Sequence, residues 1–291
     1  MSRFRSAGPA SGAARPIPRA PRRRIALSQN FLTDPALVER VLDRTTVGPE
    51  DVVYEIGAGA GAITDRLARR CRHVVAVEKD ASLAERLRRR FAARTNVSVF
   101  LADALEFPLP LTPYKVVANL PFSVTSAVVA RLTRAEQPPG DSFLGVQREA
   151  AERFAGSPAE TLVSLSLKPR FAPQIVYRFE RADFSPRPGV DVVLLRLHKR
   201  GPPLLGAAGE ALYRDLVAHV FGAWRPTVRR ALGALLPSPP PGIDLRVAPG
   251  ALPFDAWLTL FRHFQCTAPA GARRRVAGAA ARVAGPRWHE S

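Results

Sequence analysis

The chain has very little cysteine, very little lysine and no long apolar run. Its two cysteines, Cys71 and Cys266, are too few and too far apart for a disulfide framework or a zinc site. The five histidines (His73, His198, His219, His263 and His289) form no ligand-spaced pair, so no structural or catalytic metal is expected. No stretch approaches the ~20 apolar residues that a membrane helix needs, so no membrane partner is expected either. Thiols this scarce suit a reducing, cytoplasmic setting. Lysine occurs only at Lys79, Lys115, Lys168 and Lys199.

Arginine takes its place. Lys+Arg total 43 against 25 Asp+Glu, a net +18 over 291 residues. The arginine fork matches phosphate and stacks on bases. A GC-rich genome accounts for Arg standing in for Lys, but not for the excess of bases over acids. That excess points to a nucleic acid. Residues 1–24 hold seven arginines and no acid. The composition resembles an organelle transit peptide, but Pro9, Pro16, Pro18 and Pro21 would break its helix. The segment reads as a disordered basic arm that binds RNA backbone. Residues 267–291, low in complexity and basic, read as a second loose tail.

Between the tails, strands and helices alternate. Strands are predicted at Asp51–Ile56, His73–Val77, Val97–Leu101 and Tyr114–Ala118, with helices at Ile63–Arg70 and Ser82–Arg94. Later strands are predicted at Gln174–Phe179 and Val190–His198. This rhythm implies an α/β, doubly wound, Rossmann-like parallel sheet over residues 25–200. After a Pro/Gly break at 201–209 the character turns helical, at Glu210–Trp224, Pro226–Leu236 and Phe254–Phe264. Residues 201–266 therefore read as a small all-helical domain, expected to recognise RNA, and the whole as a monomer.

Ligands of parallel sheets sit at the carboxyl ends of the strands. Four successive strand ends here carry polar or glycine residues: Glu55 with Gly57 and Gly59, then Glu78, then Asp103, then Asn119. By pattern alone, Gly57, Gly59 and Ala62 with Glu78 about 20 residues on also allow a dinucleotide. The acid before the loop decides otherwise. Glu55 suits a ligand with an ammonium group, whereas a pyrophosphate gains nothing from a carboxylate there. Glu78 can accept from both hydroxyls of a ribose. Asp103, followed by Ala104, can accept from an adenine amine while a backbone N–H donates to the ring. Ammonium, ribose and adenine in that order describe S-adenosylmethionine.

The fourth strand end reads Asn119-Leu120-Pro121-Phe122. An adenine N6 amine is a poor nucleophile, because its lone pair is delocalised into the ring. The Asn119 amide oxygen and the Leu120 carbonyl can hold its two N–H bonds, Pro121 can stiffen the turn, and Phe122 offers a stacking face for a flipped base. Positioning then does most of the catalysis. The blander reading of the same four residues is a strand-end turn with a core Phe.

The chain resembles the rRNA adenine N6-methyltransferases, which share the fold of the small-subunit dimethyladenosine transferases. Within them it is most similar to the Erm family of macrolide–lincosamide–streptogramin B resistance. The resemblance rests on Ser28-Gln29-Asn30-Phe31-Leu32, on Glu55 to Gly61, on Glu78, on Asp103-Ala104, and on Asn119 to Phe122. It implies cofactor contacts from Gln29, Asn30 and Leu32, adds Lys79 next to Glu78, and brings Phe184 of the Ala182–Asp191 loop beside the target base. Phe184 reads equally as a plug for a proline-rich loop. It also implies a ribosomal RNA partner, 23S rRNA for the resistance branch or 16S rRNA for the housekeeping branch. Leu165–Phe171 and Trp257–Phe264 look more like the resistance branch. Phe122 stands where many relatives carry Tyr, which keeps the ring and removes a hydroxyl. Two readings of other classes stand beside these. One is a nicotinamide oxidoreductase, for which no proton-transfer group is evident. The other is a non-catalytic RNA-binding or transcription factor, which has no need of Glu55, Glu78, Asp103 and Asn119 together.

Overall fold

The computed structural model describes residues 31–32 and 34–283. The basic arm at 1–24 and the candidate cofactor residues Gln29 and Asn30 lie outside them. Chain order begins with a two-residue strand, β1 (Phe31–Leu32), and α1 (Pro35–Leu42). Asp34 caps α1 by accepting from the Ala36 N–H at 2.8 Å, and Pro35 opens its first turn, where its missing N–H costs nothing. Then come β2 (Val52–Ile56), α2 (Ala62–Arg70), β3 (His73–Glu78), α3 (Ala81–Arg90), β4 (Val97–Leu101), β5 (Lys115–Asn119), α4 (Thr125–Arg134), β6 (Asp141–Gln147), α5 (Arg148–Ala155), α6 (Leu162–Leu167), β7 (Phe171–Arg178), β8 (Phe184–Ser185) and β9 (Val192–Lys199). The helical part is α7 (Ala207–Gly222), α8 (Val228–Leu232), α9 (Phe254–Thr267), α10 (Ala270–Val276) and α11 (Ala279–Val283).

Seven strands form one sheet in the order β4-β3-β2-β5-β6-β9-β7. The first five run parallel, and order reverses between β2 and β5, which opens the ligand crevice of a doubly wound sheet. β9 is antiparallel to both its neighbours, β6 and β7. Residues 179–191, which join β7 to β9, hold no α-helix that could serve as a crossover, so an antiparallel return follows. β1 and β8 make a separate two-stranded ladder, Leu32 opposite Phe184.

Alternating side chains divide the sheet into two faces. Val53, Val74, Ala76 and Val117 pack under α1, α2 and α3, while Tyr54, Ile56, Val116 and Ala118 pack under α4 and α5. β6 is absent from the sequence reading. Its Asp141 is buried yet satisfied, taking hydrogen bonds from Thr46 Oγ1 at 2.9 Å and Arg196 Nε at 2.7 Å.

The helical core contains Tyr213, Trp257, Phe261 and Phe264, recruits Leu165 from α6, and runs on to Val276. Packing therefore crosses both sequence-derived boundaries, at 200 and at 266. The expected loose tail from 267 is corrected for residues up to 283. Ala272, Val276 and Ala279 are buried, and the Asp215 carboxylate of α7 accepts from the N–H groups of Gly278 and Ala280 at 2.8 and 2.9 Å. These apolar residues recur at a helical spacing of four and three, and that spacing gives the segment a stripe to bury.

Candidate active site

The carboxyl ends of β2, β3, β4 and β5 meet at one cleft of about 150 Å³. Among the residues lining it are Gly57, Glu78, Lys79, Asp103, Ala104 and the whole of Asn119 to Phe122. Phe184 reaches its rim. Leu105 and Val128 complete an apolar wall that sequence reasoning did not include. The apolar Leu105 just after Asp103-Ala104 was the available signal.

The glycine loop owes its shape to backbone needs. Gly57 adopts φ +73°, a left-handed conformation that disfavours any side chain, and its N–H donates to the Val77 carbonyl at 2.8 Å. A side chain there would meet no atom of the described residues within 4 Å. Gly61 is tight for another reason: a Cβ there would lie 2.7 Å from Leu87 Cδ2. Gly59 does not line the cleft; its N–H donates to Glu78 Oε2 at 2.8 Å.

Glu78 is 1 % exposed and binds the loop as well as facing the cleft. Its other oxygen, Oε1, accepts from Asp80 N–H at 2.8 Å. A carboxylate has about four acceptor sites, so each oxygen keeps a lone pair for a ligand. Asp103 is engaged too, with Oδ1 accepting from Leu105 N–H at 2.9 Å and Oδ2 from the Lys79 ammonium at 2.6 Å. The Lys79 ammonium, with the Leu105 N–H, holds this carboxyl below the usual carboxylate range.

Glu55 behaves differently. It points to the face covered by α2, is 1 % exposed, and does not line the cleft. Among the described residues its Oε2 has no hydrogen-bond partner, and burial, aided by the Glu78 charge and only partly offset by Thr64, pushes the carboxyl up to about 8.

Asn119 ends β5 half-buried, paired in register with Gly145 of β6. Its amide oxygen lies so close to Gly145 that a Cβ there would approach it to 2.9 Å. The Leu120 N–H donates to the Gly145 carbonyl at 3.1 Å, and the Leu120 side chain is buried, so the turn is anchored on both sides. Pro121 (φ −56°, ψ 135°) then turns the chain into a short 3-10 turn at Phe122–Val124 that feeds α4. Phe122 is half-buried and retains ring surface toward the cleft. Phe184 is 3 % exposed, with its ring tilted against Phe179 at 5.2 Å. Among the described residues no cluster of His, Cys, Asp and Glu could hold a metal, and no helix is long and apolar enough to cross a membrane.

A mostly parallel sheet with this strand order, and a ligand cleft at the ends of its first strands, define a Rossmann-like class I methyltransferase. The comparisons narrow the class. The chain belongs to the ribosomal RNA adenine dimethylase family, whose model matches residues 21–240, and so to the rRNA adenine N6-methyltransferases. It is 36 % identical over 226 residues to an rRNA adenine N-6-methyltransferase of Aeromicrobium erythreum, covering 76 % of this chain and 66 % of that protein. It is 34 % identical over 223 residues to ribosomal RNA small subunit methyltransferase A of Moorella thermoacetica, covering 71 % and 77 %. The fold is similar to the crystal structure of 23S rRNA methyltransferase ErmE, with a TM-score of 0.74 and 28 % identity, covering 81 % of this chain and 100 % of that one.

Proposed function

We propose that this protein transfers a methyl group from S-adenosylmethionine to the N6 amine of one adenine in 23S rRNA, and so gives resistance to macrolides, lincosamides and streptogramin B. The observation that carries the reading is the common cleft of Glu78, Asp103 and Asn119 to Phe122.

When bound, S-adenosylmethionine supplies a methyl group already activated on a cationic sulfur. The spare lone pairs of Glu78 accept from the ribose hydroxyls, and Asp103 beside Ala104 accepts from the adenine amine of the cofactor, with Lys79 flanking it. Gly57 lets the backbone approach closely, and Leu32, with Gln29 and Asn30, belongs to the methionine end. At the other side of the cleft the Asn119 oxygen and the Leu120 carbonyl hold the two N–H bonds of the target amine, so its lone pair faces the methyl. Pro121 fixes their aim, and Phe122 stacks on the extruded base, a contact typically worth ~1–3 kcal/mol. Phe184 gives the pocket a rigid rim. Positioning supplies most of the acceleration.

The 23S branch is supported by the likeness to ErmE along all of that chain and by the Leu165–Phe171 and Trp257–Phe264 stretches. The alternative, dimethylation of two adjacent adenines in 16S rRNA, is supported by the small-subunit relative. Primer extension on both rRNAs from cells expressing the chain, with erythromycin susceptibility, separates the two. A single 23S stop with resistance is expected. Adjacent 16S stops in susceptible cells would establish the alternative, and unmodified rRNA in both subunits would sink both.

A further inference from the structure

The more exposed of the two tryptophans among the described residues stands in an unusual place. α7 ends at Gly222, Ala223 remains right-handed, and Trp224 then takes φ +51°. It is the one non-glycine residue with a positive φ among the described residues. A helix commonly ends on such a left-handed residue, but glycine is the usual occupant, because a side chain crowds the backbone there. An aromatic residue is a poor choice for folding. The residue is 89 % exposed, so it is no part of a core either. The helices on either side of it are held: Phe221 of α7 stacks on the buried Trp257 at 6.1 Å, and the Val228 and Arg229 N–H groups of α8 donate to the Val247 and Leu245 carbonyls at 3.0 and 2.7 Å. The indole is thus presented on a rigid base.

Its neighbours carry one sign of charge. The run Trp224-Arg225-Pro226-Thr227-Val228-Arg229-Arg230 has three arginines and no acid. All three are exposed, and none of their side chains has an ion pair or hydrogen bond among the described residues. The nearby Asp244 is occupied by Arg246 at 3.0 Å. Free guanidinium groups beside an open ring fit the two parts of a nucleotide, phosphate and base.

We propose that Trp224 is a stacking platform for an unpaired base of the RNA substrate, with Arg225, Arg229 and Arg230 on the flanking phosphates. This site lies on the helical unit, apart from the residues that line the methyl-transfer cleft, and it rests on the reading that RNA is the substrate. It selects RNA whose bases are splayed out of the helix, because an indole cannot stack on a base that is already paired within a duplex.

The full-length chain carries three tryptophans: Trp224, the buried Trp257, and Trp288, which lies outside the described residues. In a Trp288→Phe background two indoles emit, and of these Trp224 is the one a bound base can reach, so ligand quenching reports on it. A short oligouridylate should quench it, and a blunt RNA duplex of the same length should not. Trp224→Ala should weaken oligouridylate binding about five-fold or more, the lower end of aromatic stacking, and leave the salt dependence unchanged. Arg225→Ala should instead flatten the salt dependence. Trp224→Gly should melt no lower than the parent, since glycine relieves the left-handed backbone. Equal quenching by duplex, or unaltered oligouridylate affinity in Trp224→Ala, would overturn the platform; so would a lower melting temperature in Trp224→Gly, which would make the ring structural. Absence of any RNA binding by the parent would overturn the substrate reading along with it.

Discussion

Replacing Glu78 by Gln keeps the shape of the side chain and removes one acceptor edge. In the native site the two carboxylate oxygens take the Gly59 and Asp80 N–H groups, both at 2.8 Å. An amide can satisfy only one of them, and its NH₂ then faces the other donor. A buried N–H left without a partner costs about 1–3 kcal/mol, and the surviving bond drops from a charged to a neutral acceptor. The loss is therefore about 2 kcal/mol or more, a fall of roughly 4–8 °C in melting temperature for a chain of this size. On the proposed cofactor placement the same substitution leaves one ribose hydroxyl without its acceptor, so affinity for S-adenosylmethionine should fall about ten-fold or more. Thermal melts with and without cofactor, together with titration calorimetry, measure both. A Glu78→Gln chain that melts within a degree of the parent and binds cofactor equally well would refute the dual role of this residue.

The buried Glu55 gives a pH signature. Its carboxyl is raised from 4.5 to about 8, so between those values the unfolded chain ionises while the folded chain keeps the proton, and stability falls as pH rises. Glu55→Gln cannot ionise, so its advantage in denaturant midpoint should widen from pH 5 to pH 8, at about 1.4 kcal/mol per pH unit at most; a constant gap would contradict the burial argument. Phe122→Ala should lower kcat/KM for RNA about five-fold or more through lost stacking, while Phe122→Tyr stays active; single-turnover methyl transfer with saturating cofactor reads this. Truncation after Thr267 removes the buried Ala272, Val276 and Ala279 and both donors to Asp215. It should cost ~2 kcal/mol or more, visible as a lower melting temperature, and an unchanged melt would return the segment to a passive tail.

The strand ends were legible because a parallel sheet puts every carboxyl terminus on one edge, so Glu78, Asp103 and Asn119 could be aligned without coordinates. What each carboxylate already holds was not legible. The bonds from Glu78 to Gly59 and Asp80 depend on loop geometry, and the Lys79–Asp103 pair joins residues 24 apart. Glu55 shows the limit of reading a strand end by residue type: one step along a strand changes the face, and this side chain turned under α2. β6 was hidden because its first two residues are Asp141 and Ser142, polar yet buried, with Asp141 satisfied by Arg196 from a strand far along the chain. The helices after 267 were hidden by composition, since Arg, Ala and Gly obscure a short apolar stripe. Phe184 was given two readings. Its contact with Phe179 belongs to the core one, while its place at the cleft rim leaves the other for mutagenesis.

The most direct measurement is transfer of tritiated methyl from S-adenosylmethionine to purified rRNA by the parent and by Asn119→Ala, with cofactor binding followed in parallel. The account predicts label on the N6 position of adenine with the parent, and at least 100-fold less with Asn119→Ala, on the scale of a lost positioning contact, at equal cofactor affinity. Label that is undiminished in Asn119→Ala, or that appears on another atom of the RNA, would contradict it.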